Sequence, residues 1–267
     1  MPRRRLDAEL VRRGLVASWT EAQAAVHEGM VIVSGRPAGN PSTLVEPAEP
    51  VELLRTGRPF VSRGGDKLDA ALQRFEVDPS GRACLDAGAS TGGFTDCLLQ
   101  QGAARVAAVD VGYGQLAWSL RRDARVTVLD RTNVRDLTRD RLPFVPDLVA
   151  ADLSFISLRR VVPTLAEVAA VGADFVLLVK PQFEAGRKDV GKGGVVRDPA
   201  VWARTVESVA EACTASGVGP RAVMASPRPG PAGNVEFPLH AVKDGEPRVL
   251  DVAAAVEEGR RLQGGGA

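Results

Sequence analysis

The sequence has few of the residues that metal sites and disulfide frameworks require. Only two of its 267 residues are histidine and only three are cysteine. Cys84, Cys97 and Cys213 are odd in number and have no metal-ligand spacing, and the chain begins without the pattern of a secretory signal. We therefore predict buried free thiols in a reducing compartment, a cytoplasmic protein and no metal site.

Long apolar runs and an excess of one charge are also absent. No uninterrupted apolar stretch approaches the roughly 20 residues that span a bilayer, and the run at residues 175–179 has the length of a strand. We therefore expect no membrane contact. The formal net charge is +1, so any contact with nucleic acid must depend on local basic patches.

Residues 1–58 have the pattern of a small unit that is separate from residues 59–267, with a linker at 47–59. Five arginines against two acids in the first thirteen residues give a local positive charge. Ser18 stands at an N-cap position with Glu21 three residues later, and apolar runs at 30–33 and 43–45 predict a hairpin. By charge alone the basic stretch is either a solvated helical face or a contact with nucleic acid.

From residue 83 onward, strand-like runs alternate with helical ones. We predict strands at 83–86, 106–110, 126–129, 148–151, 175–179, 221–225 and 235–242, and helices near 94–101, 115–121, 158–168, 199–216 and 251–262. Such alternation predicts a mostly parallel seven-stranded sheet with helices on both faces. Because a loop joins the last two strands, we expect an antiparallel strand at the sheet edge.

A glycine-rich turn follows the first strand of this sheet, in Cys84-Leu-Asp-Ala-Gly-Ala-Ser-Thr-Gly-Gly-Phe-Thr95. Its glycines allow backbone to approach a ligand, and Asp110, which ends the next strand, is placed to accept hydrogen bonds from ribose hydroxyls. Asn133 or Asp136, after the third strand, is placed to bind an adenine edge. Ser90 stands where the dinucleotide fingerprint has a glycine, which disfavours a bound pyrophosphate. The turn alone, however, does not decide between NAD and S-adenosylmethionine.

Charged side chains occupy several strand ends, where an open parallel sheet binds its ligands. Asp152 follows the fourth strand and Lys180 the fifth, while Glu236 begins the last strand and Lys67 lies on a helix before the sheet. A lone lysine after a strand is usually a surface residue. Two lysines with two acids, however, could form one cluster in which mutual pairing makes burial tolerable.

These four residues match the Lys-Asp-Lys-Glu tetrad of S-adenosylmethionine-dependent RNA ribose 2′-O-methyltransferases. The chain resembles the TlyA family in the glycine-rich turn above and in Val-Asp-Val-Gly-Tyr-Gly-Gln-Leu, Asp-Arg-Thr-Asn-Val-Arg, Ala-Asp-Leu-Ser-Phe-Ile-Ser-Leu, Val-Lys-Pro-Gln-Phe-Glu and Gly-Asn-Val-Glu-Phe. The pattern from Arg5-Leu-Asp to Val-Ser-Gly35 is similar to the RNA-binding module of ribosomal protein S-four.

The resemblance implies a fold and a substrate. Residues 59–267 would form an α/β domain with the Rossmann-like sheet of class I methyltransferases, and residues 1–58 a small α+β S-four-like RNA-binding domain with its linker. The implied reaction is methylation of a cytidine 2′-hydroxyl in ribosomal RNA of the small or large subunit.

The reaction gives each tetrad residue an expected role. A ribose hydroxyl is a weak nucleophile, so a lysine whose pKa lies below the usual 10.4 or so would accept its proton; Lys180 is our candidate. Lys67 would supply positive charge beside the oxyanion, and Asp152 and Glu236 would orient the lysines and the ribose. Because the sulfonium carries its own leaving group, in-line transfer needs alignment more than a metal.

Binding residues follow from the same resemblance. Cofactor contacts are expected from the turn and the strand ends, at Asp86, Gly88, Ser90, Gly92, Gly93, Phe94, Asp110, Val111, Asn133, Asp152 and Leu153. RNA contacts are expected from the N-terminal module, an aromatic side chain after the fourth strand and a mobile flap at 191–194 with its flanks, at Arg3, Arg5, Arg12, Arg13, Ser18, Phe155, Arg187, Lys188 and Lys192. Phe155 would stack on an extruded base, or else be a core aromatic.

Two other functions stay open at this point. One is a non-catalytic RNA-binding or ribosome-assembly factor with a vestigial cofactor fold, against which the complete tetrad argues. The other is a membrane-active haemolysin, a label that TlyA-like sequences have often carried, against which the missing apolar span argues.

Overall fold

A computed structural model describes residues 3–16, 18–27, 30–53 and 60–264 of the chain, which divides into two units, 1–58 and 59–267. In the first unit the helices are α1 (Leu6–Arg12) and α2 (Trp19–His27). The strands are β1 (Arg4–Arg5), β2 (Val31–Val33), β3 (Arg36–Pro37), β4 (Leu44–Val45) and β5 (Val51–Leu53). Leu6, Leu10 and Val26 share a small core with strand residues, and Ser18 Oγ accepts a hydrogen bond from the Glu21 N–H at 3.2 Å, as the N-cap pattern predicts.

Two predictions for this unit are wrong. β4 pairs with β1 and not with β2, whose partners are β3 and β5. Ser34 and Gly35 both have positive φ, at 50° and 78°, so the chain turns back after two residues and forms a tighter hairpin than we predicted. β5 lies inside the segment 47–59 that we assigned to the linker, and residues 54–59 of that segment lie outside the described residues.

The second unit is built on the predicted seven-stranded sheet. Its strands are β6 (Ala83–Ala87), β7 (Arg105–Val109), β8 (Val126–Leu129), β9 (Leu148–Ala151), β10 (Asp174–Val179), β11 (Val218–Val223) and β12 (Phe237–Lys243), in the spatial order β11-β12-β10-β9-β6-β7-β8. β12 runs antiparallel to both of its neighbours, β10 and β11, and the other neighbouring pairs are parallel. The antiparallel strand was predicted, but its place was wrong, because β11 forms the edge and β12 lies inside it. Pro220 fits that edge, where a missing N–H costs no ladder hydrogen bond.

Helices cover both faces of the sheet. They are α3 (Arg63–Phe75), α4 (Gly93–Gln100), α5 (Trp118–Arg121), α6 (Val162–Val168), α7 (Pro181–Glu184), α8 (Pro199–Ala215) and α9 (Val252–Gly264). Alternate residues of β10 enter two separate cores: Val176 and Leu178 pack towards α3 and α4, whereas Phe175 and Leu177 pack towards α6 and α8. This alternation is what a strand buried on both faces requires.

Smaller differences have local causes. The helix predicted at 158–168 is a 3-10 turn, Leu158–Arg160, followed by α6, because Pro163 lacks an N–H and favours the first turn of a new helix. The three cysteines are free and buried, as predicted, and burial raises the pKa of the Cys84 and Cys213 thiols to about 12. No helix within the described ranges is both long enough and apolar enough to cross a membrane.

Candidate active site at the carboxyl edge of the sheet

Strand register places three of the four tetrad residues side by side. Asp152 directly follows β9, Lys180 directly follows β10, and Glu236 directly precedes β12. Val179 pairs with Phe237, and Leu177 pairs with Ala151. Because β12 is antiparallel, its first residue lies at the edge where the parallel strands end. Glu236 and Lys180 therefore lie side by side at the carboxyl edge of the sheet.

The tetrad forms two ion pairs at this edge. Lys67, which α3 carries over the sheet, places Nζ 2.5 Å from Glu236 Oε2, and their side chains are 7% and 0% exposed. Lys180 Nζ lies 2.5 Å from Asp152 Oδ1, with side chains 10% and 22% exposed, and it also donates to Ser154 Oγ at 3.2 Å. Pairing of this kind makes the burial of four charged groups tolerable.

Two fully buried acids in this region each keep an oxygen without a hydrogen-bond partner among the described residues. They are Glu236, at Oε1, and Asp86, at Oδ1. The other oxygen of Asp86 accepts a hydrogen bond from Thr95 Oγ1 at 2.6 Å, and burial raises the pKa of Asp86 to about 7. Buried polar atoms are rarely left unpaired, so both oxygens indicate positions for a hydrogen-bond donor from water or from a ligand.

Asp110 organises the turn between β6 and α4. Its Oδ2 accepts a hydrogen bond from the Ser90 N–H at 2.9 Å, and its Oδ1 accepts one from the Gly112 N–H at 2.7 Å. Gly88, at φ 91°, packs so closely on the end of β9 that a Cβ there would lie 2.5 Å from the Asp152 carbonyl oxygen. The carboxylate of Asp110 is thus fixed in place. Its predicted contact with a ribose stays a prediction.

Packing accounts for the other two glycines of the turn. A Cβ on Gly92, which has φ 101°, would overlap Leu120, and a Cβ on Gly93 would overlap Ser62 Oγ at the start of α3. Phe94 is buried in the core beneath them. The structure therefore requires glycine here for the approach of helices, whereas the sequence suggested the approach of a ligand. Contact of these residues with the cofactor stays a prediction.

The remaining predicted cofactor residues differ in their surroundings. Val111 is 68% exposed, and Leu153 is half-buried next to Asp152. Asn133 is half-buried, and its Oδ1 accepts a hydrogen bond from the Arg135 N–H at 3.1 Å, which begins a 3-10 turn. Its amide nitrogen is the group left for other partners. Asp136, the alternative to Asn133, is exposed.

The predicted RNA-binding arginines of the first unit are paired with acids. Ion pairs of 2.6–3.0 Å join Arg3 to Glu46, Arg5 to Asp7, and both Arg12 and Arg13 to Glu9. Asp7 and Glu9 are fully buried, and the arginine hydrogen bonds hold the pKa of each at about 2. The charge count included these acids but could not show that they pair with the arginines, although the spacing of Glu9 with Arg12 and Arg13 on one helix was a usable signal.

Asn234 ties the predicted flap to the entrance of β12. Its side chain is buried; Nδ2 donates to the Gly194 carbonyl at 2.9 Å, and Oδ1 accepts from the Val196 N–H at 2.9 Å. The flanking predicted RNA contacts are exposed, at Arg187, Lys188 and Lys192. The flap is therefore anchored next to the strand that carries Glu236. Sequence reasoning did not give Asn234 this role.

Phe155 is not a core residue. Its side chain is 92% exposed, its φ is +64°, and its ring centroid lies 5.3 Å from that of Phe183. Of the two interpretations of Phe155, the core aromatic is thus excluded and the exposed stacking surface remains. No group of three or more His, Cys, Asp or Glu side chains gathers in a metal-binding arrangement within the described part of the chain.

Comparisons with known proteins agree with this geometry. A family model of FtsJ-like methyltransferases matches residues 60–243. The chain is 53% identical over 236 residues to the 16S/23S rRNA (cytidine-2′-O)-methyltransferase TlyA of Mycobacterium tuberculosis, which covers 88% of either chain. A solved structure from Streptococcus thermophilus, described as a candidate hemolysin, is 36% identical with a TM-score of 0.76 and covers 99% of this chain and 97% of its own.

A shorter likeness concerns a ribosomal protein. Over 71 residues, 27% of this chain and 34% of the other, the sequence is 37% identical to the small ribosomal subunit protein uS4 of Syntrophotalea carbinolica. This agrees with the S-four-like pattern of the first unit.

Proposed function

Because the chain belongs to the TlyA family of FtsJ-like methyltransferases, we propose that it methylates the 2′-hydroxyl of a cytidine in ribosomal RNA, with S-adenosylmethionine as methyl donor. The comparisons confirm the predicted family and enzyme class, and the seven-stranded sheet confirms the predicted fold class. The observation that carries the reaction is the meeting of two lysines and two acids as adjacent ion pairs beside the glycine-rich turn.

The residues of the turn fit a ribose-bearing, cationic cofactor. Asp86 offers a buried oxygen without a partner among the described residues, and Asp110 is held at the end of β7 by two backbone N–H groups. The carboxylate of Asp110 suits the ribose hydroxyls of S-adenosylmethionine, and a cationic ligand would favour the charged form of Asp86. When bound, the cofactor supplies an electrophilic methyl group on sulfur.

The tetrad handles the proton and aligns the nucleophile. In its neutral form Lys180 takes the proton of the 2′-hydroxyl as the O–H bond breaks. The oxygen would then accept the methyl group that bound S-adenosylmethionine supplies, and the sulfur would leave as a neutral thioether. The resulting ammonium is stabilised by Asp152, 2.5 Å away. Lys67 supplies positive charge next to the developing oxyanion, and Glu236, held by Lys67, orients the ribose through its unpaired oxygen.

The first unit contributes RNA contacts. A guanidinium carries five N–H donors, and Arg3 and Arg5 each give two bonds to a carboxylate, which leaves others for phosphate. Arg13 also donates to the backbone carbonyls of Pro47 and Glu49, so fewer of its donors remain. Ordered arginines of this kind bind phosphate without first losing side-chain freedom. We propose that this unit docks on folded ribosomal RNA of the small or large subunit, while the second unit acts on the target cytidine.

The test is methyl transfer from labelled S-adenosylmethionine to purified small and large subunits, with mapping of the 2′-O-methyl positions. Lys180→Ala should lower the rate by about 100-fold or more, since a general base contributes ~10²–10⁴-fold, with cofactor binding retained. Lys243→Ala is the matched control, because Lys243 Nζ donates to the Ala169 carbonyl at the opposite edge of the sheet. Full activity of Lys180→Ala would contradict the proposed chemistry and favour a non-catalytic RNA-binding factor.

A further inference from the structure

Glu184 is a buried acid that the mechanism above does not use. It ends α7, the helical turn that starts directly after Lys180, and it is 7% exposed. Its Oε2 accepts a hydrogen bond from Ser157 Oγ at 2.5 Å, and its Oε1 accepts one from the Leu158 N–H at 2.6 Å. Arg159 adds an ion pair at 3.3 Å and donates from Nη2 to the Glu184 carbonyl. Short charge-assisted bonds of this kind fix backbone as well as side chains.

The segment that Glu184 holds contains a strained residue. Phe155 lies two residues before Ser157, with φ at +64° and its ring exposed. A non-glycine residue in this region is strained and persists only where the surroundings impose it. Glu184 holds the segment from one side, and the bond from Lys180 to Ser154 Oγ holds it from the other. Both contacts come from the same short segment, residues 180–184.

The same stretch supplies a second aromatic ring. Phe183 lies between the two anchors, its ring tilted by 51° to that of Phe155, and Lys180 Nζ is 5.9 Å from its centroid. We call Phe155 and Phe183 together the aromatic shelf. The shelf is therefore next to the lysine that takes the ribose proton.

We propose that Glu184 is a positioning residue, which keeps Phe155 on Phe183 so that an extruded pyrimidine base stacks on the shelf while its ribose reaches Lys180. The inference rests on the proposed function and deepens it. Extruding a base loses its stacking in the RNA, and stacking on an aromatic side chain offsets that loss. Because the shelf is already ordered, binding of the base does not also have to order a loop.

The test compares Glu184→Ala and Glu184→Gln with Asp174→Asn as a control. Asp174 lies at the other end of β10 and pairs with Arg82 and His240, each at 2.7 Å, so its loss perturbs the same strand far from the shelf. Glu184→Ala should lower kcat/KM for ribosomal subunits about 10- to 100-fold, as misplacement by an ångström does, with cofactor affinity unchanged within about twofold. Glu184→Gln keeps an acceptor for Leu158 and should retain more activity. Asp174→Asn should keep wild-type kinetics.

Two readouts separate positioning from mere stability. A fluorescent cytidine analogue at the mapped target should brighten on binding wild-type protein, and this signal should be lost in Glu184→Ala. Phe155→Ala and the double variant Phe155→Ala with Glu184→Ala should have the same kcat/KM within about twofold, because both changes remove one device. Multiplying losses, unchanged fluorescence in Glu184→Ala, or a loss of melting temperature alone would overturn the proposal. Absence of methyl transfer by the wild type would instead refute the proposed function.

Discussion

Removing the ammonium of Lys67 should destabilise the second unit far more than an ordinary lysine substitution does. Glu236 is fully buried, its Oε2 depends on Lys67 at 2.5 Å, and its Oε1 has no partner among the described residues. In Lys67→Met the carboxylate would stay buried without a counter-charge. Breaking such a pair from one side costs about 3–5 kcal/mol.

The magnitude can be checked by thermal unfolding. For a domain of about 150–250 residues, 1 kcal/mol corresponds to roughly 2–4 °C, so the melting temperature should fall by about 6–20 °C. The double variant Lys67→Met with Glu236→Leu removes both charges and should recover most of this loss, because apolar replacements of a buried pair are often neutral or stabilising. Methyl transfer should stay absent in both variants, so stability and activity should separate.

Lys180→Met is the internal comparison. Asp152 is 22% exposed, so water can solvate its carboxylate once the lysine is gone, and the loss of stability should be clearly smaller than for Lys67→Met. The measurement is the melting temperature by circular dichroism at one pH, for Lys67→Met, its double variant with Glu236→Leu, and Lys180→Met. Equal losses from the two lysines, or a fall below about 2 °C for Lys67→Met, would refute the assignment of Lys67 and Glu236 as the buried, interdependent pair.

Two further predictions concern the turn between β6 and α4. Burial raises the pKa of Asp86 to about 7, above the roughly 3.9 of an unfolded aspartate. Between these two pH values the folded state holds a proton that the unfolded state has lost. The free energy of unfolding should therefore fall as the pH rises from about 4 to 7. Asp86→Asn should remove this pH dependence of the free energy of unfolding, which amounts to up to about 4 kcal/mol, as measured by urea titrations across that pH range. A pH dependence equal to that of the wild type would contradict the prediction. Gly93→Ala should cost about 1–3 kcal/mol in the same titrations, because its methyl group would overlap Ser62 Oγ and crowd the backbone N of Gly65; a variant as stable as the wild type would show that α3 and α4 can move apart.

The sheet and the position of the tetrad could be predicted because both follow from period and connectivity. Runs such as 148–151 and 175–179 are buried on both faces, and alternating helices force parallel strands whose ends meet at one edge. Strand order, by contrast, has no local signal. Nothing in β12 itself indicates that it inserts between β10 and β11, and strands as short as β4 and β5 are too brief to show a period.

Sequence reasoning also could not separate acids with a free oxygen from acids that only hold the fold together, because both are the same residue types close to strand ends. Hydrogen-bond partners separate them. Glu184 has both oxygens filled by protein donors and shapes a loop, whereas Glu236 and Asp86 each keep a buried oxygen without a partner among the described residues. A buried acid that the fold leaves half-satisfied marks a position where water, a ligand or a reacting group can donate a hydrogen bond. The partners of these oxygens come from distant parts of the chain, as with Lys67 for Glu236 and Ser157 for Glu184, so this criterion becomes available only once the chain is folded.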